Sequence, residues 1–312
     1  MTYTVVIRTL GKAGDKFQKE LDSICAQTIQ PEEIIVYIAE GYPIPKETCG
    51  KERYVHVKKG MVAQRALQYT EVKTDWILFL DDDVFLPANA VEILFNHIME
   101  NGADVVSPNT FENHKMGWKT RLMNWILAKA VPFKSDKWAY KVLRSGGFGY
   151  NSNPTKDFYW SETNAGPCFL CRKKDFLKIH FEEEIWLDDA PYALPEDQVM
   201  FYKMHLNGLK VATIFNSGIV HLDAGTAVNT SSDRNRKMLY SEYRNQIIFW
   251  HKFIQPYQNG FGVIISKLLL GYYKYMRKLL ALKSVFKNDY EPLETLREAD
   301  KSILSHLENA TE

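Results

Sequence analysis

Long apolar runs are missing from this chain. No stretch of about 18 uncharged apolar residues occurs, so no transmembrane helix is expected. The opening residues, Met1 to Arg8, lack the extended apolar region of a secretory leader. Cysteine is scarce, with four in 312 residues: Cys25, Cys49, Cys168 and Cys171. Without a leader these are expected to be free thiols of a reducing compartment, which points to the cytoplasm. Cys168 and Cys171 have the spacing of half a zinc site, but a structural zinc needs four ligands and no second pair stands nearby. The same segment reads as a buried strand, where residues three apart face opposite sides, so core packing is the expectation. Excess charge is also absent. The 39 Lys and Arg against 38 Asp and Glu leave a net charge of +1, and no global field argues for nucleic acid. Internal repeats and low-complexity tracts are not found.

What is there is ordinary globular material, with 46% hydrophobic and 25% charged residues, so an ordered core is expected. The length suits one large α/β domain plus an extension, or two modest domains. Short β-branched or apolar runs at 3–8, 34–39, 54–57, 76–80 and 104–107 read as buried strands. Helical spacing marks Lys16 to Gln27, Val62 to Tyr69, and Ala88 to Glu100 with Pro87 at a plausible first turn. Strands alternating with helices imply βαβ units and a mostly parallel sheet. Residues 111–164 carry Trp118, Trp125, Trp138 and Trp160 among many Asn, Ser and Lys, and read as helical and loop material laid over the sheet. A strand at Cys168–Arg172, a helix opened by Pro195, a strand at Lys210–Ile214 and the pair Val220-His221 follow, and from Ser232 the pattern is helical.

The run Trp76-Ile-Leu-Phe-Leu80 stops at Asp81-Asp82-Asp83. In open α/β sheets the carboxyl ends of strands are where ligands bind. Three adjacent carboxylates repel one another unless a cation or hydrogen-bond donors offset them. Their hard oxygens suit Mg²⁺ or Mn²⁺, which bind through one or two carboxylates plus substrate phosphates. A solvated turn with an Asp cap before Pro87 would be the bland alternative. Glu196-Asp197 opens a helix, where a carboxylate either caps the backbone or takes a proton from a reacting hydroxyl. His221 ends an apolar run and taken alone is a satisfied structural histidine.

In their order along the chain these features resemble the family 2 glycosyltransferases, whose fold is of the GT-A type. Val5-Val-Ile-Arg-Thr9 looks like the family's first strand, Leu21 to Gln27 like its helix ending in Gln, and Glu33-Ile-Ile-Val36 like its second strand. Gly60-Met-Val-Ala-Gln-Arg65 looks like the Gly…Ala-Arg-Asn segment, with Ala66 in place of the Asn. Leu78 to Asp83 is similar to the Asp-x-Asp motif, Pro195-Glu196-Asp197 to the Glu-Asp motif, and Gly208 to His221 to its downstream tail. The resemblance covers about residues 3–225. It implies a catalytic domain over 1–225, with a donor half of about 1–110 and an acceptor half of about 111–225, followed by a helical extension over 226–312.

The resemblance further implies transfer of a sugar from a nucleoside diphosphate to an acceptor hydroxyl with inversion, in the synthesis of a surface polysaccharide or glycoconjugate. A UDP-sugar is the favoured donor, and a glycan or lipid-linked molecule the acceptor. Thr9 would lie beside the base, and Asp81 or Asp82 would reach the ribose or the metal's waters. Asp83 and His221 would hold a divalent cation, Mn²⁺ or Mg²⁺. Arg65 would bond the diphosphate or base region, and Asp197, with Glu196 as second choice, would be the general base. Glu40 stands where the family carries an Asp after the second strand, so the base is less fixed than the fold. A nucleotidyltransferase is the competing enzyme class, but Leu10-Gly-Lys-Ala-Gly14 only weakly imitates its loop. A binding module without turnover is the non-enzymatic alternative.

One further signal lies in the tail. Between Phe261 and Asn288 there are six basic residues and no acidic one. On a helix over 264–282, Lys267, Lys274, Arg277 and Lys278 share one arc, and Leu268, Leu269, Tyr272, Tyr275, Met276, Leu279 and Leu280 the other. That fits a helix lying on an anionic membrane, at its inner face, through residues 261–288. Packing on its own domain or on a second copy in a homo-oligomer is the alternative.

Overall fold

The computed structural model describes residues 1–110, 117–222, 231–286 and 288–309. The boundary expected near 225, the start of the insert at 111–116 and Lys287 of the basic tail lie outside the described residues. The chain opens with strand β1 (Tyr3–Thr9), helix α1 (Asp15–Cys25), β2 (Glu33–Ala39), β3 (Glu52–Val57) and β4 (Trp76–Asp81). There follow β5 (Val84–Phe85), α2 (Ala90–Asn101), β6 (Val105–Pro108) and α3 (Trp118–Ile126). Next come β7 (Ala130–Phe133), β8 (Trp138–Val142), β9 (Phe148–Asn151), β10 (Phe158–Ser161), β11 (Cys168–Arg172) and α4 (Lys173–Leu177). The last elements are α5 (Glu196–Leu206), β12 (Val211–Ile214), β13 (Val220–His221), α6 (Ser232–Phe249), α7 (Phe261–Val285) and α8 (Glu291–Asn309).

Among the described residues eleven strands form one sheet in the order β3-β2-β1-β4-β11-β6-β12-β10-β8-β9-β7, and β13 pairs with β5 in a separate ribbon. β1, β2, β3 and β4 run parallel, and β6 pairs in parallel with β12. β11 lies antiparallel between β4 and β6. This is the expected mostly parallel α/β sheet flanked by helices, with helices at the C-terminal end.

The sheet is buried on both faces, and the period-2 alternation of each strand sorts its side chains between two cores. Val5 and Ile7, Ile34 and Val36, Leu78 and Leu80 pack with Phe17, Leu21 and Leu94 of α1 and α2. Val6, Ile35, Ile77 and Phe79 face the other way, toward Phe201 of α5, Ile248 of α6, Tyr273 of α7 and Ile303 of α8. There Phe79 stacks on Phe169 with ring centroids 4.4 Å apart. Deleting either ring would cost about 3–5 kcal/mol. Cys168 and Cys171 fall into opposite cores, as free thiols, which fits packing rather than a shared metal.

Two expectations are corrected. The segment 111–164 does not merely cover the sheet. It supplies β7 to β10, which extend the sheet by four strands beyond β12. Nor is Val62 to Tyr69 a helix. Only one turn forms, with Ala66 N bonding Val62 O at 2.7 Å, before Tyr69 takes a positive φ of 49°. Val62 and Tyr69 are still buried at helical spacing, but the backbone there answers to a side chain from elsewhere. The amides of Val62 and Ala63 donate to the two carboxylate oxygens of Asp188 at 3.1 and 2.9 Å. A Cβ on Gly60 would stand 2.3 Å from Asp188 Oδ2, and φ there is +154°, so glycine is required.

Candidate functional site

Register places the acidic triplet. Arg8 of β1 lies opposite Tyr37 of β2 on one side and Asp81 of β4 on the other, so Thr9 and Asp82 leave the sheet together at its carboxyl edge. The β5–β13 ribbon brings His221 opposite Val84, beside Asp83. Asp83 Oδ1 and His221 Nε2 are 2.9 Å apart, and Asp83 is buried to 6% exposure. One carboxylate oxygen and one imidazole nitrogen thus share a point at a strand end. That donor set fits a divalent ion completed by water and phosphate oxygens, as Mg²⁺ and Mn²⁺ are usually bound. Among the described residues no three His, Cys, Asp or Glu side chains gather closely enough to hold a metal by themselves, so phosphate and water oxygens would complete the set.

The three aspartates do three different things. Asp81 is held by two guanidiniums: Arg8 Nε at 2.5 Å and Arg65 Nη2 at 2.9 Å. Burial alone would raise its pKa, but Arg8 and Arg65 hold its carboxyl below the ordinary range. Asp82 accepts a short hydrogen bond from the Thr9 hydroxyl. Burial pushes it up to about 6 against that bond, with help from Asp81 and Asp83. Asp83 faces His221. Beneath them Glu20 of α1 is fully buried, bonded by the Val84 amide at 3.3 Å. Burial, and then the charge of Asp82, raise its pKa well above the carboxylate range, so it adds no fourth negative charge.

Behind the triplet runs a buried ionic seam. Arg8 Nη1 donates to Glu196 Oε1 at 2.6 Å and to Met61 O at 2.9 Å. Arg65 Nη1 reaches Asp197 Oδ1 at 3.2 Å, its Nε lies 3.6 Å from Glu196, and Nη2 also donates to Gly166 O at 3.1 Å. Burial raises Glu196 to about 7, outweighing the pull of Arg8 and Arg65. With Glu196 protonated, two guanidiniums face two carboxylates and the seam is neutral, which is the cheap state for charges out of water. Glu196 is 3% exposed, whereas the Asp197 side chain keeps 35% of its surface. Of the pair at the start of α5, only Asp197 is open to a second reactant.

The structure therefore brings Thr9, Arg65, Asp81, Asp82, Asp83, Glu196, Asp197 and His221 to one edge of the sheet. Glu40 follows β2 on the same edge but is exposed and stands outside the seam. Arg65, expected to reach the diphosphate, directs its donors to protein carboxylates and a carbonyl, and its side chain is 2% exposed. Four residues were not singled out from sequence. Arg8 is the second guanidinium of the seam, and a charged residue inside a β-branched strand was the available signal. Gln64 is buried and donates to Thr9 O at 3.0 Å. Asp188 fixes the turn that carries Arg65, as described above. Gly166 permits the close approach: a Cβ there would stand 2.0 Å from Asp197 Oδ1 and 2.5 Å from Arg65 Nη1.

Two surface cavities, of about 490 and 650 Å³, lie elsewhere, by Phe158 and Trp160 and by Arg144 and Tyr257. Neither borders the triplet. The model of the family described as glycosyl transferase family 2 matches residues 4–179. That span holds β1 from Thr4 on, the whole triplet, Arg8 and Arg65, while Glu196, Asp197 and His221 lie beyond it. No curated protein matches the chain. Among solved structures, a crystal structure of GalNAc-T7 with UDP, GalNAc and Mn²⁺ is similar at 14% identity and a TM-score of 0.49. The match covers 82% of this chain and 49% of that one, so the chain spans about half the length of that protein.

Proposed function

The chain belongs to glycosyl transferase family 2, and on that premise we propose that it is a sugar-transferring enzyme that moves a sugar from a nucleoside diphosphate to an acceptor hydroxyl with inversion, using a divalent cation at Asp83 and His221. The observation that carries this reading is the 2.9 Å approach of Asp83 and His221 at the carboxyl edge of the sheet. When bound, a cation there would act as a Lewis acid for the charge that develops on the leaving diphosphate. Thr9 and Asp82 line the same edge and would orient the nucleoside, with Glu40 at its outer border. UDP is the favoured nucleotide, and synthesis of a surface polysaccharide or glycoconjugate the favoured setting.

Direct displacement needs no nucleophile from the enzyme. The acceptor oxygen forms its bond to the anomeric carbon as the bond from that carbon to the diphosphate oxygen breaks, and the hydroxyl proton passes to a carboxylate. Asp197 suits that step because it is open on one side and held by Arg65 on the other. Glu196 is enclosed, and its role here is to hold Arg8 and Arg65 so that Asp81 stays ionised. Arg65 accordingly orders the carboxylates rather than bonding the donor.

Calorimetry of UDP binding tests the cation site. The parent protein is expected to bind UDP with Mn²⁺ and to lose most of that affinity in chelator. Asp83→Ala is expected to bind equally weakly in both, with its melting midpoint retained. Equal affinity with and without metal in the parent protein would overturn the site.

A further inference from the structure

Helix α7 packs on the domain through Ser266, Leu270, Tyr273 and Ala281. The opposite face is apolar, and no described residue covers it. From Phe261 to Phe286 every third or fourth residue points outward: Ile264, Leu268, Tyr272, Tyr275, Leu279 and Leu282 follow one another at helical spacing. Leu268 is 68% and Tyr275 63% exposed, and Phe261 and Phe286 close the stripe at 72% and 91%. Helices of globular proteins normally turn such a stripe inward. Contiguous exposed apolar surface of this kind marks a contact face.

The charges beside the stripe say what it meets. Arg277 is not free, because it pairs with Glu242 of α6, and Lys278 pairs with Asp300 of α8 at 2.8 Å. The basic arc read from sequence is therefore partly consumed inside the protein. At helical spacing Lys267 and Lys274 run along one border of the stripe and Lys283 lies on the other, and the helix carries no acidic residue. A second copy of the same face would set these lysines against each other with no carboxylate on the helix to answer them. A sheet of anionic headgroups over an apolar layer answers both features at once. No helix among the described residues is long and apolar enough to cross a membrane, so the helix would lie in the surface plane.

We propose that the outer face of α7 is a docking surface for an anionic lipid layer, with Leu268, Tyr272, Tyr275 and Leu279 entering the headgroup boundary and Lys267, Lys274 and Lys283 meeting phosphates. The inference does not depend on the transfer reaction.

Flotation of the full chain with vesicles tests it. At low salt the chain is expected to bind phosphatidylcholine vesicles containing phosphatidylglycerol and to leave pure phosphatidylcholine unbound. Lys267→Gln and Lys283→Gln should each weaken binding about fivefold, the ratio equivalent to about 1 kcal/mol per basic residue at a charged leaflet. Leu268→Glu with Tyr275→Glu should abolish binding at an unchanged melting midpoint. Met99→Glu, on an exposed apolar residue of α2, should bind like the parent. Failure of the parent to float with anionic vesicles would overturn the proposal. So would binding that the lysine variants leave unchanged, or a solution dimer that Leu268→Glu splits and that does not bind vesicles.

Discussion

The carboxyl edge of the sheet and the outer face of α7 break the same rule in opposite directions. At the edge, Arg8, Arg65, Asp81 and Glu196 are charged or ionisable groups enclosed by protein. On α7, leucines and tyrosines stand in solvent. Each departs from the usual sorting of apolar residues inward and charges outward, and such departures are most informative where another requirement competes with stability. At the edge the carboxylates are held in a fixed arrangement, and the cost is met internally: Arg8 and Arg65 hold Asp81, Glu196 and Asp197, Thr9 holds Asp82, and His221 faces Asp83. On α7 no described residue covers the stripe, which is why a surface from outside the chain is proposed to meet it. Buried charge that is paired marks chemistry, and exposed apolar surface that is unpaired marks contact.

Substitutions can separate the two regions. The largest effect is expected from Asp197→Asn, which keeps the shape and helix start but cannot accept a proton. Turnover should fall by about 100- to 10,000-fold with donor affinity nearly unchanged. Near-parent turnover in Asp197→Asn together with its loss in Glu196→Gln would move the role to Glu196. Arg65→Met comes next. It leaves Asp197 without its guanidinium and Asp81 with Arg8 alone, and should lower stability by about 3–5 kcal/mol in urea unfolding.

The pH response of Glu196 is smaller and has a defined sign. Its pKa rises from 4.5 to about 7 on folding, so the folded protein holds this proton more tightly than the unfolded chain. That contribution is full below about pH 4.5 and is lost as pH rises toward about 7. Glu196→Gln should remove it, changing the stability difference accumulated across that window by up to about 3 kcal/mol. An identical slope in parent and variant would show that Glu196 ionises normally. The smallest effect belongs to α7. Leu268→Glu should move stability by no more than about 0.5 kcal/mol, because the side chain touches little in the folded chain. A larger loss would mean that the stripe is packed and would erase the contrast with the edge.

Strands were legible in the sequence wherever a β-branched run is buried on both faces, as in β1, β2 and β4, because such a run needs no partner to be recognised. β7 to β10 were not. They are four or five residues long, carry mixed polar and aromatic side chains, and become strands only by pairing with one another and with β12. Asp81 to Asp83 were legible as chemistry in search of a partner, since three adjacent carboxylates at a strand end repel one another, whereas Glu196-Asp197 and His221 each had a structural reading and were marked only by the family resemblance. Arg8 was hidden by the apolar residues around it. Gly166 and Asp188 act through distances to residues 31 and more than 120 positions away, which no local pattern encodes. The segment at 62–69 misled for the same reason: its apolar spacing is helical, but its first amides belong to Asp188.

The core beneath the site has a consequence for the order of events during synthesis. Val6 and Phe79 from the early strands share one hydrophobic cluster with Leu296, Ala299 and Ile303 of α8. One face of the central sheet is therefore incomplete until residues near 303 have left the ribosome, although β1 to β4 emerge more than 200 residues earlier. In that interval Phe79, Phe169 and Tyr243 would lack part of their cover, and nascent chains of this length expose such surfaces to aggregation. A stop codon placed after the last strand would make that interval permanent.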